Sequence, residues 1–130
     1  MSNFTRVELI AKVAAGESLE QSNLVGIDLR GANLNEVNFR QANLSQAKLN
    51  GANLNNANLA QANLSAAHLS QANLTEANLS QANLIWTNLR GAKLSEANLH
   101  EAIYDDNTIL PEGFDPEEAG MVLTESVITS

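Results

Sequence analysis

The chain has 130 residues, enough for one domain with short appendages, and 19 Leu, 19 Ala and 18 Asn make up an unusual share of it. It has no Cys, which excludes disulfide frameworks, Cys-based zinc sites and Cys nucleophiles, and its five aromatics offer little for base stacking. Fifteen acids against seven bases give a net charge of −8, which opposes binding nucleic acid through a general basic field.

The N-terminus reads as a helix. Thr5-Arg6-Val7-Glu8 fits a capping box, Val7, Ile10, Ala11 and Ala14 recur at helical spacing, and Gly16 is a stop signal. This predicts an amphipathic helix over residues 6–15, lying as a cap across whatever follows. The opening residues lack a basic stretch followed by a long apolar run, so a cytoplasmic location is expected. No run of about 18 apolar residues exists, so no membrane span and no membrane partner are expected. Residues 17–21 look like a degenerate repeat unit around Leu19.

Residues 22–101 are sixteen consecutive five-residue units without an insertion. The unit centre is Leu in fifteen and Phe39 in the other. Two residues earlier stands Ala in twelve units, and one residue earlier stands Asn in twelve. Period five makes no face on an α-helix and sends alternate Leu residues to opposite sides of a continuous strand. Within one unit, however, Ala and Leu are two apart, so a short extended segment points both inward and must then turn. The product is a solenoid with a straight side and a turn in every unit. The two residues after each Leu are central in that turn. Gly26, Gly31, Gly51, Gly91 and Asn56 at the second of them suit a type II turn, which needs positive φ there.

After Glu101 the pattern decays. Tyr104, Leu110 and Phe114 are expected plugs on the last coil, and Asp115 followed by Pro116, Glu117 and Glu118 predicts the start of a short helix. The chain therefore divides into an N-terminal helical cap (1–21), the repeat (22–101) and an acidic C-terminal cap and tail (102–130).

The units Ala42-Asn43-Leu44-Ser45-Gln46 and Ala72-Asn73-Leu74-Thr75-Glu76 resemble the pentapeptide-repeat family, whose consensus is A(D/N)LXX. The segment 104–116 resembles the closing segment of many members from photosynthetic bacteria. The resemblance implies an all-β fold, a right-handed quadrilateral β-helix with four units per coil. Sixteen units then make about four coils and a rod of about 20 Å. Four-fold coils place Asn23, Asn43, Asn63 and Asn83 in one column and Asn38, Asn58, Asn78 and Asn98 in another. Stacked amides are expected to pair along such columns, as in cross-β ladders.

Some members of this family resemble duplex DNA and inhibit type II topoisomerases. That role needs a negative rod. The charge here divides into three acids against two bases in 1–21, five against five in 22–101, and seven against none in 102–130. A neutral rod does not copy the roughly twelve phosphates of an equal length of B-DNA. No catalytic, cofactor or metal site is expected: His68 and His100 fall on different sides, and no Ser–His–Asp set or phosphate-cradling Gly loop is present. Asp28 and Lys48 are expected to be stacked neighbours that pair, and Glu36, Glu76 and Glu96 share a column. The one distinct surface feature is the patch Val25, Ile85 and Trp86 at outward turn positions. It is either an interaction anchor or, the favoured alternative, ground covered by the C-terminal segment. The expectation is a non-catalytic scaffold or interaction module with an unidentified protein partner, no direct nucleic acid, and a monomeric or end-to-end dimeric state.

Overall fold

The computed structural model describes residues 2–125. Isolated parallel bridges join each residue before a Leu to its equivalent one coil later, as in Asn23–Asn43–Asn63–Asn83–Ile103 on face 1 and Asp28–Lys48–His68–Asn88 on face 2. Face 3 carries Asn33–Asn53–Asn73–Lys93 and face 4 carries Asn38–Asn58–Asn78–Asn98. A step of twenty residues with five-residue units gives four sides per coil.

The coils are tied by backbone bonds. In a typical unit Leu24 N–H donates to the Asn43 carbonyl at 2.7 Å, Asn43 N–H to Ser22 at 2.9 Å, and Gly26 N–H to Ser45 at 2.9 Å. Each side ends in an i→i+3 turn, such as Ala42 N–H to the Phe39 carbonyl at 2.9 Å. The second turn residue has positive φ in every unit, as expected of a type II turn. Glycine is not required for it: Gln41, Ala66, Glu76 and Trp86 adopt φ of 59°, 58°, 60° and 63°. The inter-coil bond from such residues, as from Gln41 to Ala60, holds them in this region against their own preference. Inside the coils, the Leu centres from Leu24 to Leu89 and the Phe39 ring are buried without remainder, and Ala fills the space between them.

The Asn residues do not build the expected amide ladder. In all twelve Asn-bearing units the Asn Oδ1 accepts the N–H two residues on, closing its own turn; Asn63 with Ser65 at 3.0 Å and Asn78 with Ser80 at 3.0 Å are examples. Asp28 does the same for Arg30. A local Asx turn outcompetes stacking because the acceptor and donor are already two residues apart. A ladder does exist at another position. Gln21, Gln41, Gln61, Gln81 and Glu101 pass side-chain hydrogen bonds up one corner at 2.8, 2.6, 2.8 and 3.1 Å.

At the N-terminal end, helix α1 (Arg6–Ala14) starts at a Thr5–Glu8 capping box. The Thr5 N–H and hydroxyl bonds hold the Glu8 carboxyl below its usual range. The face it turns inward differs from the expected one. Leu9 is buried and Phe4, Ile10 and Val13 pack against the core, whereas Val7 is 78% exposed and Ala11 and Ala14 face solvent. Arg6 completes the inward stripe, donating from its guanidinium to the Asp28 and Arg30 carbonyls at 3.1 and 3.0 Å. The unit around Leu19 already has repeat geometry, with Leu19 N–H bonded to Asn38 and Gln21 at positive φ.

At the other end Ala102, Ile103 and Tyr104 hold the Ala, Asn and Leu places. Strand β1 (Ile103–Tyr104) pairs in parallel with β2 (Val122–Leu123), adding a further rung on face 1. Ile109 extends face 2 by bridging Asn88. Tyr104, Leu110 and Phe114 pack partly buried against the core, as expected. Asp115 Oδ1 accepts the Glu117 and Glu118 N–H groups, but the expected short helix is a single turn that Gly120 ends at φ 82°.

Candidate interaction surface

The turn Leu84-Ile85-Trp86-Thr87 stands at the corner between faces 1 and 2. In the three coils before it, the second turn residue at this corner donates to a backbone carbonyl: Gly26 to Ser45, Gln46 to Ser65, Ala66 to Ile85, each at 2.9 Å. Trp86 N–H donates instead to Oδ1 of Asp105, at 3.2 Å. The regular chain has run out here, and a side chain takes the place of the missing carbonyl.

Asp105 is buried and also accepts the Asn107 N–H at 3.1 Å. The Thr108 hydroxyl lies 3.1 Å from Asp105 Oδ1 and 2.7 Å from the Leu84 carbonyl, stitching the segment to the corner. Burial pushes the Asp105 carboxyl up, but the Trp86, Thr108 and Asn107 donors outweigh it and hold the group below its ordinary range. Thr87, at an Ala place, is fully buried and satisfies its hydroxyl on the Leu64 carbonyl at 2.7 Å.

This clip holds the Trp86 backbone and leaves its side chain open: Trp86 is 61% exposed. The favoured expectation that the C-terminal segment covers it does not hold for residues 102–125; residues 126–130 lie outside the described chain. Ile85 beside it is half-buried. Val25 is half-buried too, but Ser45 and Ser65 separate it from Ile85 in their column, so the structure does not bring these two together. Three side chains near Trp86 escaped the sequence reading. Ile103 and Val122 take outward Asn places on face 1, and Ile109 takes one on face 2. Ile103 was visible as the second residue of a decayed unit; the other two depend on the irregular path of the closing segment.

The remaining polar groups are dispersed. Asp28 pairs with Arg30 and not with Lys48: the guanidinium grips both carboxylate oxygens, at 2.9 and 2.7 Å, and holds the carboxyl well below its usual range. The sequence offers Arg30 two residues away in the same turn, closer than the rung above. Arg40 pairs with Glu20 at 2.9 Å. His68 sits on face 2, whereas His100 lies at another corner with Nε2 3.8 Å from Glu101 Oε1. Among the described residues no three His, Cys, Asp or Glu side chains gather as a metal site, and no helix is long and apolar enough to cross a membrane.

Comparison with known proteins agrees with this architecture. The family described as pentapeptide repeats matches residues 18–51, 52–91 and 82–103, in 8 copies. A pentapeptide repeat protein from Nostoc PCC 7120 is 38% identical, with 92% of this chain and 96% of that one covered and a TM-score of 0.55. Rfr23 from the cyanobacterium Cyanothece 51142 is 37% identical over 69% of this chain and 61% of its own, with a TM-score of 0.69. A pentapeptide repeat protein of the Arabidopsis thaliana thylakoid lumen is 33% identical over 70% of this chain and 67% of its own, with a TM-score of 0.58. No match was found among curated proteins. Such proteins form right-handed quadrilateral β-helices. The continuous five-residue units, the four-sided coils and these matches together make the chain a member of the pentapeptide repeat family.

Proposed function

We propose that this protein is a non-catalytic, rigid interaction module that binds another protein through the corner carrying Ile85 and Trp86. The observation that carries this reading is the single Trp, 61% exposed on a corner that the Asp105–Thr108 clip fixes, in a rod whose other outward positions are mostly Asn, Ser and Gln. Helix α1 and residues 102–125 serve as caps that cover the open ends of the solenoid, a need common to repeat folds. The protein works in the cytoplasm, without a cofactor and without touching nucleic acid or membrane. It acts as a monomer, since α1 occupies one end and the acidic segment the other. The Asn carbonyl oxygens that dominate the surface are engaged in their own turns, which supports a structural use of them over a chemical one.

The rival reading, a mimic of DNA directed at a type II topoisomerase, is disfavoured by the five acids and five bases of the repeat. Block of gyrase supercoiling at stoichiometric protein would revive it. Affinity capture from native lysate with the full chain, in parallel with Trp86→Ala, tests the favoured reading. A reproducible partner that the variant loses supports it; the absence of any reproducible partner, or capture indifferent to Trp86, refutes it.

A further inference from the structure

One corner departs from the amide-rich surface. On face 1 the outward column of Asn23, Asn43, Asn63 and Asn83 continues as Ile103 and then Val122. On face 2 the outward column ends in Ile109 above Asn88. Ile85 and Trp86 stand on the turn between these faces. Trp86, Ile109 and Val122 are 61%, 48% and 47% exposed. With rungs about 4.8 Å apart, the five side chains fall within three rungs on two adjoining faces. Apolar side chains gathered on either side of an exposed Trp, on an otherwise polar rod, have the make-up of a docking site.

The rim of the patch tells which partner it fits. The segment 102–130 has seven acids and no base. Asp105 is buried in the clip, but Asp106 beside it and Glu125 are exposed. Glu112 is exposed at the far edge of face 2, where it shares a groove with Ile109 and Arg90, the base nearest to the patch. A second copy of this chain is ill suited as occupant, because it brings the same acidic segment against this one. We infer, building on the reading that Trp86 anchors a protein partner, that the partner presents a cationic amphipathic segment. Its apolar side chains cover Trp86, Ile109 and Val122, and its Lys or Arg side chains face Asp106, Glu112 and Glu125. Complementary charge of this kind selects the partner and speeds encounter, and it weakens with salt.

Trp86 is the sole Trp, so its emission reports on the corner directly. The full chain is titrated with a synthetic alternating Lys–Leu peptide, its Glu–Leu counterpart and an all-Lys peptide. The expected result is a saturable blue shift with Lys–Leu, binding weaker by about tenfold or more for either control, and several-fold weakening on raising salt. Asp106→Asn combined with Glu112→Gln weakens Lys–Leu binding and leaves the fold, monitored by circular dichroism, unchanged. Equal binding of Glu–Leu overturns the inference and leaves the Trp86 anchor standing. Emission that shifts with the protein's own concentration identifies a second copy as occupant and also overturns it. An indole already buried in the dilute free chain means that the chain's own C-terminal residues fill the corner, and it overturns both readings. So does the lack of a saturable shift with every peptide.

Discussion

Replacing Asn63 isolates the role of the residue before each Leu. Asn63 Oδ1 accepts the Ser65 N–H at 3.0 Å, a bond repeated in every Asn unit. Asn63→Ala removes the acceptor. The turn is partly open to water, so the freed N–H finds a solvent partner and the loss is that of one net hydrogen bond, about 1 kcal/mol. Asn63→Asp keeps an acceptor oxygen in the same place, and its column neighbours Asn43 and Asn83 are neutral, so the change stays within about 0.5 kcal/mol at neutral pH. The complementary substitution has the opposite sign: Lys48→Asn supplies the acceptor that its unit lacks and stabilises by about 0.5–1 kcal/mol. Urea unfolding followed by far-UV circular dichroism measures all three, with Trp86 fluorescence checking that the rod unfolds as one unit. If Asp at 63 is as damaging as Ala, or Lys48→Asn destabilises, the turn-closing account is wrong. If it holds, the turn needs an acceptor and not a charge. The choice between Asn and Asp then leaves the fold alone and sets the charge of the rod.

Asp105→Ala takes the acceptor from the part-buried Trp86 and Asn107 N–H groups, while the Thr108 hydroxyl keeps the Leu84 carbonyl, and a loss of about 1–3 kcal/mol is expected in urea unfolding. Because the folded carboxyl lies below the unfolded value of 3.8, the unfolded chain binds the extra proton in acid. The contribution of Asp105 is therefore full above about pH 4–5 and is lost as pH falls through the folded value; a pH series of unfolding midpoints for wild type against Asp105→Asn measures the difference. Gly91→Ala and Gly51→Ala share the cost of a side chain at positive φ, about 1 kcal/mol, but at Gly91 the new Cβ also runs into the Gln71 amide. The excess at Gly91, read from thermal midpoints, vanishes in a Gln71→Ala background.

The period of five carried most of the fold, since the Leu and Ala places and the positive-φ turn residue occur as the unit dictates. The role of Asn was not legible, because a column of identical amides is compatible with stacking and with local turns alike; only the geometry shows that the nearer donor wins. The Gln column, in contrast, was open to view as Gln21, Gln41, Gln61 and Gln81 at one phase of the coil. Helix α1 was misread in its face because Ala11 and Ala14 are apolar but small, and because Arg6 belongs to the inward stripe through its guanidinium. The candidate surface was half legible. Ile85 and Trp86 interrupt a polar pattern, but Ile109 bridges Asn88 twenty-one residues back and Val122 pairs with Ile103 nineteen back, so a count of twenty misplaces both. The Asp105 clip sets that register, and a side chain that replaces a backbone carbonyl leaves no periodic trace.

Trp86 stands open on a fixed corner, and the interaction surface depends on it. Acrylamide quenching of the sole Trp in the 130-residue chain at low concentration, read together with its anisotropy decay, tests this directly. Quenching close to that of a free solvated indole, with anisotropy decaying mainly by whole-molecule tumbling, is the predicted result. Strong protection from the quencher would show the indole covered in the isolated chain, and the corner would no longer be the surface this protein offers to a partner.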